Sequence, residues 1–167
     1  MRLVALVEEK QLLIAWHSRT GASEALANSV LQGAGDFAVM RRARDVGVED
    51  ILQASAYVFL CPENLATMSG EMKEMFDRCY YPVLGKIEGR AYATIIAAGS
   101  DGEGAQAQID RIAKGWRLKR VAEHFIVNLE AQTTEQILAK KYVGEAELLH
   151  AQNLGQSIAE GLNIGMY

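Results

Sequence analysis

Residues 17–23 read His-Ser-Arg-Thr-Gly-Ala-Ser, which puts the hydroxyls of Ser18, Thr20 and Ser23 and a glycine, Gly21, into one short stretch. An apolar run, Gln11 to Trp16, leads into it, and helix-favouring residues from Ala22 to Leu31 lead out. A strand that gives way to a helix leaves backbone amides without partners, and the helix dipole adds partial positive charge at the same point. Gly21 lets the backbone come close to a ligand. The chemistry such a turn supports is anion binding, a phosphate above all. Ordinary N-capping is the alternative use of the hydroxyls, but a cap needs one and this turn carries three. The Gly-x-x-x-x-Gly-Lys spacing of a triphosphate loop is absent, and Gly21 stands outside any Gly-x-Gly-x-x-Gly fingerprint. A monophosphate fits best.

The turn must be positioned by larger elements. Five apolar segments rich in β-branched or aromatic residues are predicted strands: Gln11–Trp16, Phe37–Arg41, Ala56–Cys61, Tyr92–Ala98 and Val121–Asn128. Helical spacing covers Ala22–Leu31, a short stretch Glu49–Gln53, Ser69–Tyr80, Gly104–Trp116 and Glu145–Leu162, the last with Leu148, Ala151, Gly155, Ile158 and Leu162 on one stripe. The strands are nearly continuous apolar runs, the pattern of a parallel sheet covered on both faces. The expected fold is α/β, a doubly wound five-stranded parallel sheet with helices on both faces, in a single domain of residues 1–167. Met1–Lys10 is expected as an extra edge strand, an oligomer contact or a tail. Leu129–Gly144 is a connector in which Thr134 caps a short helix through Lys140.

In a sheet of this kind ligands lie beyond the carboxyl ends of the strands, near the reversal of strand order. Three loops qualify: His17–Ser23, Pro62–Ser69 and Gly99–Gly104. In the second, Ser69 is placed to cap the following helix with Glu71 in its first turn, while Lys73 and Asp77 are spaced as an i,i+4 surface pair. In the third, the glycines of Gly-Ser-Asp-Gly-Glu-Gly let backbone lie against a planar ligand or simply form a turn. His124 and His150 fall within a predicted strand and helix and read as structural. Cys61 reads as a small buried hydrophobe.

Ile14–Val30, IAWHSRTGASEALANSV, resembles the FMN phosphate-binding signature of flavodoxin-like proteins, with an aromatic at Trp16, hydroxyls at Ser18 and Ser23, Gly21 between them, then Ala27 and Val30. Cys61–Arg78, CPENLATMSGEMKEMFDR, is similar to the segment after the third strand of NAD(P)H-dependent FMN reductases and quinone reductases, through Met68, Ser69, Gly70, Met72, Lys73 and Asp77. The chain is therefore identified as a member of the flavodoxin-like superfamily, of the NAD(P)H-dependent FMN reductase and quinone reductase type. The resemblance implies FMN as cofactor, its phosphate held by the side chains of Ser18, Thr20 and Ser23 and by the amides from Arg19 to Ser23, those of Gly21 and Ala22 included. It implies ring contacts from Pro62, Glu63, Asn64, Leu65 and Ala66, and a pyrimidine edge bordered by Gly99, Ser100, Asp101 and Gly102. Many relatives carry a stacking aromatic where this chain has Asn64-Leu65-Ala66. Asp101 and Glu103, if turned to the ring, would disfavour the anionic reduced flavin. Relatives of this type usually form homodimers or homotetramers whose partner chain completes the site.

Bulk properties narrow the class. The 21 acids outnumber the 17 bases, for a net charge of -4, and no dense Lys/Arg cluster offers a footprint for nucleic acid. No apolar run is long enough for a membrane span. Cys61 and Cys79 lack metal-ligand or redox-pair spacing, so a reducing cytoplasm and no metal are expected. Neither a Gly-x-Ser-x-Gly elbow nor a Cys-x5-Arg loop is present, which leaves hydrolase readings without a nucleophile. With FMN bound, the cofactor carries the redox chemistry and no catalytic side chain is required. The leading expectation is an oxidoreductase that takes hydride from NADH or NADPH and passes electrons to a quinone, flavin or similar small molecule. A flavodoxin-type electron carrier and a flavin-free binding module are the alternatives.

Overall fold

A computed structural model describes residues 9–167. The edge strand or tail expected over residues 1–10 lies, apart from Glu9 and Lys10, outside the described residues. The chain runs β1 (Leu12–Trp16), α1 (Ala22–Ala34), β2 (Ala38–Arg42), α2 (Val48–Gln53), β3 (Ala56–Asn64), β4 (Thr67–Met68), α3 (Gly70–Val83), β5 (Ala91–Ala98), α4 (Glu103–Gly115), β6 (Lys119–Arg120), β7 (Phe125–Asn128), α5 (Thr134–Leu138) and α6 (Glu145–Asn163).

Leu12 to Ala15 are all buried because both faces of β1 are covered. Successive strand residues point to opposite faces, and the buried side chains sort accordingly. Leu13, Ala15, Tyr57, Phe59, Tyr92 and Ile96 enter one core, closed by Ile51 of α2, Met72, Met75 and Phe76 of α3 and Ile109 of α4. Leu12, Ile14, Val58, Leu60, Ala93 and Ile95 enter the other, closed by Leu26 and Val30 of α1 and Ile158 and Leu162 of α6. Each large side chain so buried contributes about 1.5–3 kcal/mol. Helices α1 and α6 pack along each other so closely that main chain meets main chain: a Cβ on Gly155 would overlap the carbonyl of Val30, and one on Gly33 that of Gln152.

The parallel sheet has the order β2-β1-β3-β5, with β6 and β7 sharing the outer place beside β5. This is the expected doubly wound sheet, and its order reverses between β1 and β3, whose carboxyl ends therefore flank the crevice where ligands bind. The outer strand departs from the expected Val121–Asn128. Between the pairs Tyr92–Arg120 and Ile95–Phe125 it carries two more residues than β5, so the ladder breaks over Val121–His124. Side chains fix the break: Arg120 bonds to Ala122 O, Thr94 Oγ1 and Asp110, and Asp110 also faces His124 Nε2 at 2.9 Å and receives the Tyr92 hydroxyl at 2.9 Å.

Other boundaries shift for local reasons. Phe37 belongs to a tight 3-10 turn, Gly35–Phe37, and the second strand begins only at Ala38. The third strand runs past Cys61 to Asn64 and folds back antiparallel as β4, so much of the expected Pro62–Ser69 loop is a hairpin. Helix α3 passes Tyr80 and ends at Val83, with Pro82 in its last turn. The short helix in the connector ends at Leu138 and is capped by Thr133, not Thr134: Thr133 Oγ1 accepts from Gln136 N at 3.2 Å while Gln136 Oε1 accepts from Thr133 N at 3.1 Å. That reciprocal pair needs Gln three residues after the cap, a spacing Thr133 has and Thr134 lacks. Among the described residues no helix is long and apolar enough to cross a membrane.

Candidate functional site

At the carboxyl end of β1 the chain turns through Ser18, whose Oγ accepts from Gly21 N at 3.1 Å. Gly21 has φ +103°, a left-handed conformation open to glycine at little cost, and Ala25 N bonds to its carbonyl to begin α1. No side chain caps the first amides of α1. The capping use of Ser18, Thr20 and Ser23 is therefore not the one the fold makes. Ser23 is 1 % exposed, and its Oγ has no hydrogen-bond partner. A buried hydroxyl in that state costs about 1–3 kcal/mol unless something supplies the missing bond.

The hairpin of β3 and β4 forms a second wall. Its two-residue turn, Leu65 and Ala66, has φ +54° and +64°, the pattern of a type I′ turn. Leu65 stands 98 % exposed at the tip. The hairpin is fastened to the start of α4 by Glu63, whose carboxylate accepts from Gly102 N at 2.9 Å and Ala105 N at 3.0 Å, and by Met68 N, which donates to Gln108 Oε1 at 2.9 Å. A negative charge at a helix N-terminus is favourably placed. Gly104 is required here because any Cβ would run into the carbonyl of Ala66.

Between these walls lies a cavity of about 530 Å³, within the range of cofactor sites. Of the residues selected from sequence, Ser18, Arg19, Thr20, Ala22, Ser23, Pro62, Glu63, Asn64, Leu65, Ala66, Gly99 and Ser100 line it together. Gly21, Asp101 and Gly102 stand off its wall: Gly21 faces a smaller recess with Lys140, the Asp101 carboxylate accepts from Glu103 N, and the Gly102 amide is engaged by Glu63. Neither Asp101 nor Glu103 faces the cavity.

A fourth wall was not foreseen. Leu129, Ala131, Ile137 and Lys141, from the connector after β7, close the cavity with Ala97 of β5. Ala131 N bonds to Gly99 O at 2.9 Å and Lys141 N to Thr20 O at 2.8 Å, which ties the connector to both the third loop and the first. The signal was available, since the loop after the fifth strand emerges at the same carboxyl edge as the other three.

Cys61, Lys73, Asp77, Ser69 and His17 do not line the cavity. Burial pushes the Cys61 thiol up to about 12. Lys73 and Asp77 form an exposed ion pair. Ser69 sits at the N-cap of α3, yet its hydroxyl bonds to none of the helix amides. His17 hangs from the main chain by its amide to Leu60 O at 3.0 Å, and its Nδ1 is buried without a partner beside the Arg42–Glu71 pair.

Burial holds the His17 imidazole below its usual range, against an opposing pull from Glu71. The unfolded chain therefore takes up a proton at His17 more readily than the folded one. The stability this residue contributes is complete above the ordinary value of 6.5 and is lost progressively as pH falls from there through the lower folded value. Urea unfolding at about pH 7.5 and about pH 5.5 should show a smaller loss on acidification in His17→Gln than in the wild type. Equal losses would contradict this account of the buried ring.

The fold is that of the flavodoxin class. An archaeal flavodoxin is similar over 92 % of this chain and 99 % of its own, with a TM-score of 0.73 and 16 % identity. A NADPH-quinone reductase from P. pentosaceus is similar over 90 % of this chain and 97 % of its own, with a TM-score of 0.60 and 15 % identity. A flavodiiron protein from Giardia intestinalis has a TM-score of 0.71 and 17 % identity, and there this chain spans only 36 % of the other protein's length. The family described as NADPH-dependent FMN reductase matches residues 44–129, just over half of the chain, and the chain belongs to that family. No curated protein matches it.

Proposed function

We propose that this protein binds FMN in the four-walled cavity and uses it to pass electrons from NADH or NADPH to a quinone, a flavin or a similar small acceptor. The observation that carries the reading is Ser23. Its buried, unpartnered hydroxyl stands at the uncapped start of α1, where an oxygen-rich dianion would satisfy it together with the free amides of the turn. Ser18, Thr20 and the amides of Arg19, Thr20, Ala22 and Ser23 would hold the phosphate, the Gly21 amide being engaged by Ser18 Oγ. Pro62–Ala66 on one side and Gly99–Ser100 on the other would border the ring, with Leu65 offering an aliphatic contact where relatives use an aromatic. When bound, FMN supplies the acceptance and release of hydride equivalents. The chain's part is to anchor the phosphate, keep Glu63 engaged with α4 so that it brings no free carboxylate to the ring, and exclude water with Leu129 and Ala131.

Membership of the reductase family supports an enzyme over a carrier, and the partly uncovered rim at Leu65 supports a homodimer or homotetramer in which a second copy covers the ring. The buried free thiols of Cys61 and Cys79 suit a reducing cytoplasm. The similarity to flavodoxins favours the second reading, an electron carrier with no substrate of its own. Steady-state oxidation of NADH or NADPH with a quinone separates the two, because a carrier is reduced only slowly without a dedicated reductase.

Ser23→Ala tests the site with two measurements of opposite sign. The melting temperature of the ligand-free protein should stay level or rise, since a buried hydroxyl lacking a partner is removed. FMN affinity, read by quenching of its fluorescence, should fall about tenfold, with riboflavin affinity unchanged. An equal loss for both flavins would remove Ser23 from the phosphate site.

A further inference from the structure

Resting on the FMN reading above, we infer that Lys141, carried to the phosphate turn by the connector 129–144, is a cationic contact for the flavin phosphate and sets the preference for phosphorylated over unphosphorylated flavin. Nothing in the signature around Ser18–Ser23 points to this residue, which lies more than a hundred positions further along the chain.

The connector is held by the cofactor loops rather than by a core of its own. Residues 132–140 are all exposed, whereas Ala131 is buried against Gly99 and Lys141 is half-buried against Thr20. Between these tethers, Arg19 reaches over from the phosphate turn to donate from Nη2 to Ile137 O at 3.0 Å. Lys141 donates from Nζ to the same Ile137 O at 3.1 Å and to Ala139 O at 2.6 Å. Two cations thus converge on one carbonyl at the wall of the cavity.

Neither has a carboxylate partner among the described residues. The one acid on the cavity wall, Glu63, has both oxygens engaged by main-chain amides, of Gly102 just before α4 and of Ala105 within it. Burial and the neighbouring Arg19 charge hold the Lys141 ammonium below its usual range, as expected for like charges gathered without an anion. An ammonium has three N–H donors and the carbonyls take two, which leaves one for a ligand oxygen in the cavity that Lys141 lines with Ser18, Thr20 and Ser23. A dianionic phosphate relieves the repulsion between Arg19 and Lys141; a neutral hydroxymethyl end, as in riboflavin, does not.

The test is titration of FMN and of riboflavin into the wild type, Lys141→Gln and Lys141→Arg, by fluorescence quenching at low and moderate salt. Lys141→Gln should weaken FMN roughly 10- to 100-fold, the range for losing a charge-assisted hydrogen bond, leave riboflavin unchanged and flatten the salt dependence of FMN binding. Lys141→Arg, which keeps the charge, should stay within about threefold of the wild type. The tether to Thr20 runs through the Lys141 amide and survives both substitutions, so the ligand-free melting temperature should not fall. If the wild type prefers FMN over riboflavin and Lys141→Gln keeps that preference, the inference is wrong while the FMN reading stands. If Lys141→Arg loses as much as Lys141→Gln, charge is not what acts and the inference is likewise wrong. A wild type that binds neither flavin overturns both.

Discussion

Gly155→Ala should lower the melting temperature of the ligand-free protein by about 6–12 °C, corresponding to roughly 3 kcal/mol in a chain of this size. The added methyl would overlap Val30 O and approach Val30 C at 2.9 Å and Val30 Cα at 3.1 Å, all main-chain atoms of α1. No rotamer change can relieve a clash with backbone, so α6 must move away from α1 and loosen Leu26, Val30, Ile158 and Leu162 in the core beneath. Thermal unfolding followed by circular dichroism measures the effect. Gly33→Ala meets Gln152 O and its carbonyl carbon at 2.8 Å and belongs to the same class. A change of less than about 2 °C in both variants would mean that the two helices slide apart easily, against the close packing described above.

The second large effect has the opposite sign. Replacing Leu65–Ala66 by Asn–Gly should stabilise the protein by about 2 kcal/mol, or about 4–8 °C. Both native residues hold positive φ, where each L side chain is strained, and Asn–Gly is the pair this turn type favours. The surrounding bonds stay in place, because Glu63 and Met68 fasten the hairpin through groups the substitution does not touch. Strain of this kind persists where neighbouring structure imposes it and tends to gather at functional sites. The same variant removes the aliphatic side chain at the rim, and under the proposed function it should bind FMN more weakly while melting higher. A variant that melts lower would show that the turn is not strained.

The sheet was legible because its strands are long apolar runs, and the division into two cores follows from the period of two in Leu12–Ala15 and Tyr57–Cys61. The glycine and hydroxyl pattern at residues 18–23 was legible for the same reason that it works: unpartnered amides and small side chains leave a mark in the sequence itself. Less visible was anything set by contacts distant in the chain. Leu65 and Ala66 give no turn signal, since neither is the Gly or Asn that a type I′ turn normally demands; the hairpin is fastened by Glu63 and Met68 to residues about forty positions away at the start of α4. The break in the outer strand goes with Asp110 from the preceding helix, which receives Tyr92 and Arg120 and faces His124, and Val121–His124 alone reads as continuous strand. Lys141 gives no signal in the sequence because what brings it to the cavity is a main-chain bond to Thr20, more than a hundred positions away.

The interrupted outer strand also bears on how copies of this chain can meet. A long, straight border would offer a row of vacant donors and acceptors to a neighbour and invite sheet-on-sheet polymerisation. Here that border is cut into pieces of two and four residues, with the gap held by a guanidinium and a carboxylate. A neighbouring chain that met this border would find no continuous row to pair with, so growth of the sheet through its β6–β7 side is disfavoured.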